Sequence, residues 1–140
     1  MSRVIPSWDE YFLNLCEVIK TRSKDSKTQV GCVLVSNIDN RILSTGYNGL
    51  KSKCDDNINW TDRELVHSLV VHAECNALIY NTCPNIESKL YCTMSPCKNC
   101  MKLIASCNVK KIIFKTPYKD SKEVKNICEY YNIDFIQFIN

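Results

Sequence analysis

The sequence lacks the features that would place it in several large classes. No apolar run approaches the about 18 consecutive residues of a membrane span, so no transmembrane helix and no membrane partner are expected. The opening stretch, MSRVIPSWDE, has no apolar h-region. No secretory signal is therefore expected, and the protein is expected in the cytoplasm or nucleus. Charge of one sign is not in marked excess: 18 Lys and Arg against 15 Asp and Glu leave a formal +3. Basic residues are spread along the chain, with small clusters at Lys51/Lys53 and Lys110/Lys111. That mild excess suits a small anionic ligand and does not make a nucleic-acid partner. Repeats, linkers and low-complexity tracts are absent, so one domain over residues 1–140 is expected.

Cysteine is abundant, at ten residues in 140. With no signal segment, and with a chain long enough for a real core, reduced thiols are expected rather than a disulfide scaffold. Cys16, Cys32, Cys92, Cys107 and Cys128 each sit among apolar residues and read as small core fillers. The chain is also rich in Asn, Lys and Ile, a composition that fits an AT-rich genome such as that of a phage or virus. The cytoplasm would then be the host's.

Periodicity gives an alternating series of elements. Ser7 followed by Glu10 is a capping-box signature, and Trp8, Phe12, Leu15 and Ile19 recur at helical spacing, so residues 8–21 read as an amphipathic helix. QVGCVLVS (29–36) reads as a buried strand, NIDN as a turn, and RILSTGYN (41–48) as the returning strand of a hairpin. Residues 49–60 are polar and unpatterned, a loop long enough to suggest function. TDRE (61–64) is a second capping-box candidate, LVV (69–71) is strand-like, and 72–82 reads as helix. KLYCTM (89–94) is a strand, and Pro96 suits the first turn of a helix over about 96–107. KKIIFK (110–115), SKEVKNICEYY (121–131) and DFIQFI (134–139) complete the series as strand, helix and strand. The order predicts an α/β fold, a three-layer αβα sandwich on a mixed five-stranded sheet.

Two stretches carry the chemistry: VVHAECNAL (70–78) and MSPCKNCMK (94–102). Cys97 and Cys100 at a helix start place two thiolates on one turn, and His72 begins another helix. Three protein ligands leave the fourth tetrahedral position of a zinc ion for water, the pattern of a catalytic site. Glu74 lies two residues from His72, close to the metal without having to ligate it. A carboxylate there can take a proton from water and pass it to a substrate nitrogen. Both helix N-termini would add partial positive charge. Taken alone, Cys-x-x-Cys also fits a redox pair, and His-x-Glu is common at helix starts. Together, His-x-Glu followed by Pro-Cys-x-x-Cys is the signature of zinc nucleobase deaminases.

With these residues in view, the chain resembles the cytidine-deaminase superfamily. The further stretches WDEYF (8–12), RSKD (22–25), QVG (29–31), GYNG (46–49) and CDD (54–56) come in the order found in deoxycytidylate (dCMP) deaminases. The resemblance implies that His72, Cys97 and Cys100 hold one zinc ion per subunit and that Glu74 is the general acid/base. The reaction would be hydrolysis of dCMP to dUMP and ammonia, supplying the thymidylate precursor. Asn48 would contact the deoxyribose, Arg22, Ser23 and Lys24 the 5′-phosphate, and Tyr118 the base, with Ala73 adding backbone groups to the pocket. For Asn48 a turn role, for Arg22, Ser23 and Lys24 a solvated helix end, and for Tyr118 a surface position are the structural alternatives.

The family often continues GYNG with Pro and Gly before Cys-Asp-Asp, a segment associated with dCTP as activator and dTTP as inhibitor. Here it reads GLKSKCDD. Lys51, Lys53, Asp55 and Asp56 are the allosteric candidates, with Mg2+ as a possible companion of an effector nucleotide. The altered loop leaves open whether regulation persists and whether the substrate is dCMP alone or dCMP and dCTP. Some members carry a second, structural zinc in this region, for which Cys54, Glu64 and His67 are the candidates; three ligands fall short of the usual four. Cys75 and Cys83 are assigned no chemistry. A homo-oligomer, dimer or hexamer, is usual in the family. The competing classes are a polynucleotide cytosine or adenosine deaminase and a zinc-stabilised binding module.

Overall fold

The computed structural model describes residues 2–119 and 122–140. Its elements are α1 (Trp8–Lys20), β1 (Gly31–Ser36), β2 (Ile42–Tyr47), α2 (Arg63–Leu69), α3 (Ala73–Ile79), β3 (Ser88–Met94), α4 (Lys98–Ser106), β4 (Val109–Thr116), α5 (Lys122–Tyr131) and β5 (Asp134–Gln137). The sheet runs β2-β1-β3-β4-β5. β1 is antiparallel to both β2 and β3, whereas β3, β4 and β5 are parallel to one another. The expected αβα sandwich on a mixed five-stranded sheet is what the chain forms.

Strand alternation divides the core. Cys32, Leu34, Leu90, Cys92 and Ile112 point to one face, beneath α3, α4 and α5. Val33, Val35, Tyr91 and Ile113 point to the other and meet Phe12, Leu13 and Cys16 of α1. β1 is therefore buried along its whole length. Each fully buried Leu, Ile or Val contributes about 1.5–3 kcal/mol. Ser7 caps α1 by accepting from Glu10 N at 3.1 Å, as its capping signature implies. Tyr91 reaches through the second layer and donates to Asp9 at 2.6 Å.

Several boundaries differ from the sequence reading, for local reasons. Asp62, not Thr61, caps α2, accepting from Leu65 N at 3.2 Å; Thr61 instead donates to Asn59 Oδ1 at 2.6 Å. The strand-like LVV is reduced to one bridge, Val71 opposite Gly49, because Leu69 is the last residue of α2. α3 stops at Ile79 rather than at 82: the Asn81 side chain accepts from Cys83 N at 2.9 Å, a local turn that competes with helix. Pro96 precedes α4 and Cys97 is the N-cap, so the proline is outside the first turn. Cys107 is exposed, not a core filler, because it is the C-cap of α4 where the chain turns toward β4. Ser121, the expected first residue of the last helix, lies outside the described residues.

Candidate active site

The site lies where the parallel half of the sheet meets the antiparallel half, at the C-terminal end of β3. Open α/β sheets place ligands there because neighbouring chain segments diverge. α3 is brought against β2 by Gly46. A Cβ at Gly46 would stand 2.3 Å from the Ala73 carbonyl oxygen and 2.6 Å from Ala77 N. Only a residue without a side chain permits this approach. Asn76 then ties the helix to the strand by donating to the Tyr47 carbonyl at 2.8 Å.

His72 is the N-cap of α3 and Cys97 the N-cap of α4, and neither uses its side chain to cap. Both side chains are free to turn toward each other. His72 Nδ1 lies 3.1 Å from Cys100 Sγ and 3.7 Å from Cys97 Sγ. The three donor atoms lie within 4.8 Å of one another. Two sulfurs and one imidazole nitrogen are the soft and borderline donors that zinc takes, and hard-oxygen cations such as Mg2+ do not favour them. The three residues thus fit a zinc ion with one position left over. Hydrogen bonding with Cys75, then burial, raises the Cys100 thiol. A coordinating ion reverses that preference and removes the proton.

Glu74 is buried on the first turn of α3, within the same pocket. Burial pushes its carboxyl upward, opposed by the neighbouring His72 charge and by hydrogen bonds from its own backbone, Cys100 and Cys32. Cys32 Sγ is 3.7 Å from Glu74 Oε1.

His72, Cys97 and Glu74 line a cleft of about 170 Å³, with Cys100 buried behind them. Ala73, Asn48 and Tyr118 also line it. Tyr118 is held by its backbone N, which donates to Ser95 Oγ at 2.6 Å. Asn48 also braces the neighbouring backbone, since its Oδ1 accepts from Val30 N and its Nδ2 donates to the Thr28 carbonyl, each at 2.8 Å. One N–H of the amide remains for a ligand. Two basic side chains of this cleft were not assigned to substrate from the sequence. Arg63 and His67, four residues apart on α2, both line it. Arg63 grips Asp25 with two hydrogen bonds, at 2.9 and 3.0 Å. Burial pushes the Asp25 carboxyl up, but Arg63 and the N–H groups of Lys27 and Thr28 outweigh it and hold the group below its usual range. The signal available was RSKD followed by TDRE, but nothing in it paired Asp25 with Arg63.

The RSKD stretch is placed differently from expectation. Arg22 and Lys24 line a second cavity, of about 510 Å³, together with Lys53, Asp55 and Asp56. Lys24 is bonded to Asp56 at 2.6 Å and to Asp55 at 3.1 Å, and these contacts raise its pKa. Ser23 donates to the Asn48 carbonyl at 2.8 Å and so supports a cleft residue rather than facing the cleft. Lys51 is exposed and is not part of the second cavity's lining. Cys54, Glu64 and His67 do not form a ligand group: among the described residues, the close groups of three are His72/Cys97/Cys100 and Cys32/Glu74/Cys92.

Comparison with known proteins agrees with this geometry. Residues 6–116 match the family model of the cytidine and deoxycytidylate deaminase zinc-binding region. A probable deoxycytidylate deaminase of Caenorhabditis elegans is 42% identical over 108 residues, covering 74% of this chain and 54% of that protein, about half its length. The deoxycytidylate deaminase of Pongo abelii is 35% identical over 143 residues, covering 94% of this chain and 80% of its own. The crystal structure of dCMP deaminase from the cyanophage S-TIM5, in complex with dCMP and dUMP, superposes with a TM-score of 0.81 at 27% identity, over 97% of this chain and all of that one.

Proposed function

The chain belongs to the cytidine and deoxycytidylate deaminase zinc-binding family, and from that premise we propose that it hydrolyses dCMP to dUMP and ammonia as a single catalytic domain. The observation that carries this reading is a buried carboxylate, Glu74, beside a His-Cys-Cys trio, with Glu74, His72 and Cys97 lining one cleft. His72, Cys97 and Cys100 hold zinc, which when bound lowers the pKa of water toward about 7 and so supplies a nucleophile at neutral pH. Glu74 accepts the proton that water loses and delivers it to N3 of the cytosine ring. It then takes the second proton from the water oxygen, now bonded to C4, and carries it to the amine as the C4–N bond breaks, so that water and dCMP balance dUMP and ammonia. Burial keeps the carboxyl away from bulk solvent, which favours a proton moving between Glu74 and substrate over leakage to water.

The cleft walls divide the remaining work. Tyr118 and Ala73 flank the base, and the spare N–H of Asn48 serves the deoxyribose. Arg63 supplies the positive charge for the 5′-phosphate, with the His67 ring beside it as a further donor, because both line the same cleft as His72, Glu74 and Cys97. Arg22, Lys24, Lys53, Asp55 and Asp56 belong to the second cavity, which we assign to an effector nucleotide, dCTP or dTTP, with Mg2+ on the two carboxylates. Lys24, bonded to those carboxylates, would exchange them for phosphate when an effector binds. A homo-oligomer, dimer or hexamer, is the assembly we propose, in keeping with the family. No helix among the described residues is long and apolar enough to cross a membrane.

Ammonia release by the zinc-loaded protein on dCMP, dCTP and deoxycytidine, each with and without added dCTP or dTTP, tests this function. Turnover of dCMP that rises with dCTP and falls with dTTP supports both cavities' assignments. Effector-independent turnover of dCMP supports the first and removes the second. Direct use of dCTP widens the substrate class, and no release from any of the three overturns the reading.

A further inference from the structure

The other close group of potential ligands is not at the cleft mouth but behind it. Cys32 and Cys92 are facing partners on the antiparallel strands β1 and β3. Facing residues on adjacent strands project to the same side, here beneath α3. Their sulfurs are 3.3 Å apart, and both side chains are wholly buried. Cys32 Sγ is also 3.7 Å from Glu74 Oε1. The three donor atoms fall within 4.8 Å of one another.

We infer that Cys32 is a positioning residue for Glu74, a thiol donor that fixes one carboxylate oxygen from the sheet side while the other serves substrate. This rests on Glu74 being the acid/base of the proposed deamination. Cys32 has one proton and two acceptors in reach, the Cys92 sulfur and the carboxylate. The ionised carboxylate is the stronger acceptor. Cys92, the facing strand partner whose sulfur lies 3.3 Å away, packs against the Cys32 sulfur and holds it in place. Burial, followed by contact with Cys92, raises the Cys32 pKa far enough to keep the thiol a donor. Cys32 is no part of the trio and keeps its proton. Both sulfurs are reached only through the folded core, so neither is a metal ligand for the cleft and neither contacts substrate. Their contribution is to the aim of Glu74.

The test compares zinc-loaded wild type, C32A and C32S on dCMP. Alanine removes the donor, whereas serine restores an O–H at the same place. The expected result for C32A is a fall in kcat of about 10-fold, because a misaimed carboxylate costs rate rather than binding. KM should stay within about 2-fold and zinc at one per chain. C32S should recover most of kcat. C92A, which removes only the support, should fall between wild type and C32A, and it decides the matter should C32A not fold. Wild-type kcat in C32A, or C32S no faster than C32A, overturns the inference. A second readout needs no turnover. In the infrared, the S–H stretch lost in C32A should lie low in frequency in the wild type and move up in E74Q, whose amide accepts more weakly. An unmoved Cys32 band overturns the hydrogen bond, while a wild type inactive on every nucleotide overturns the deaminase reading and leaves this band to decide the contact.

Discussion

Gly46→Ala puts the fold and the site under one test. The added Cβ would stand 2.3 Å from the Ala73 carbonyl and 2.6 Å from Ala77 N, and Cβ contacts under 3.0 Å are essentially never seen. Both neighbours are backbone, so no flexible side chain can yield. α3 must move off β2 by at least about 0.7 Å to relieve the closer contact, a strain of the overpacking kind that costs about 1–3 kcal/mol. For a chain of this length that is a fall in Tm of about 3–10 °C. α3 carries Glu74 and starts at His72. A displacement near 1 Å at such groups costs about 100-fold in rate. Gly31→Ala and Gly49→Ala bracket the effect. At Gly31 the Cβ would stand 2.2 Å from the Cys16 carbonyl, against α1 on the opposite layer. It should lower Tm without lowering kcat per folded molecule. At Gly49 the nearest atom is a Tyr47 ring carbon at 3.6 Å, ordinary contact, so Gly49→Ala should be close to neutral. Thermal melts, zinc content and kcat on dCMP read all three. If G46A melts and turns over like wild type, then close approach of α3 to β2 is not what positions Glu74.

Three further outcomes follow from the same contacts. E74Q should retain one zinc per chain by atomic absorption and lose about 10²–10⁴-fold in kcat, the range of a removed acid/base. R63A should raise KM for dCMP about 10-fold while leaving deoxycytidine little changed, because only dCMP carries the phosphate; K24A should leave KM for dCMP within about 2-fold and blunt the response to dCTP, since Lys24 lines the other cavity. Asp25 is held below its usual pKa in the fold. Its contribution is therefore complete above the unfolded value of about 3.9 and is lost as pH falls through the lower folded value. D25N should thus unfold at lower urea than wild type at pH 7, and the gap should close as pH drops below about 4; a gap that stays constant into acid would mean that the Asp25–Arg63 pair adds nothing to stability.

The parts of the site that were legible are those whose chemistry is written locally. His72 and Glu74 are two residues apart, and Cys97 and Cys100 share one turn. Each pair sits at a helix start, and the N-cap residues His72 and Cys97 make no side-chain cap, which leaves those side chains free. The strands were legible for a similar reason: β1 and β4 are β-branched runs whose pattern leaves little choice of element. Errors gathered where one side chain outcompeted another for a backbone group. Thr61 looks as good a cap as Asp62 until Asn59 takes its hydroxyl, and the helix over 72–82 reads as continuous until Asn81 turns it.

Which cations face which cavity was not legible, because charge has no direction in a sequence. Arg22 and Lys24 are cations near a motif, and motif proximity favours them. What decides between two cations is where their counter-charges sit. Lys24 is claimed by Asp55 and Asp56, residues more than thirty positions away that the polar loop carries to it. Arg63 is aimed by Asp25, at a similar separation in the opposite sense. The loop over 49–60 thus performs both assignments: it brings acids to the second cavity, and it returns the chain so that α2 faces the first. A loop with no periodicity carries no such information in its composition. The two cavities are therefore separable by experiment. Exchanging the charge of Asp55 and Asp56 should free Lys24 and alter the effector response, and it should leave Arg63, Asp25 and the KM for dCMP unmoved.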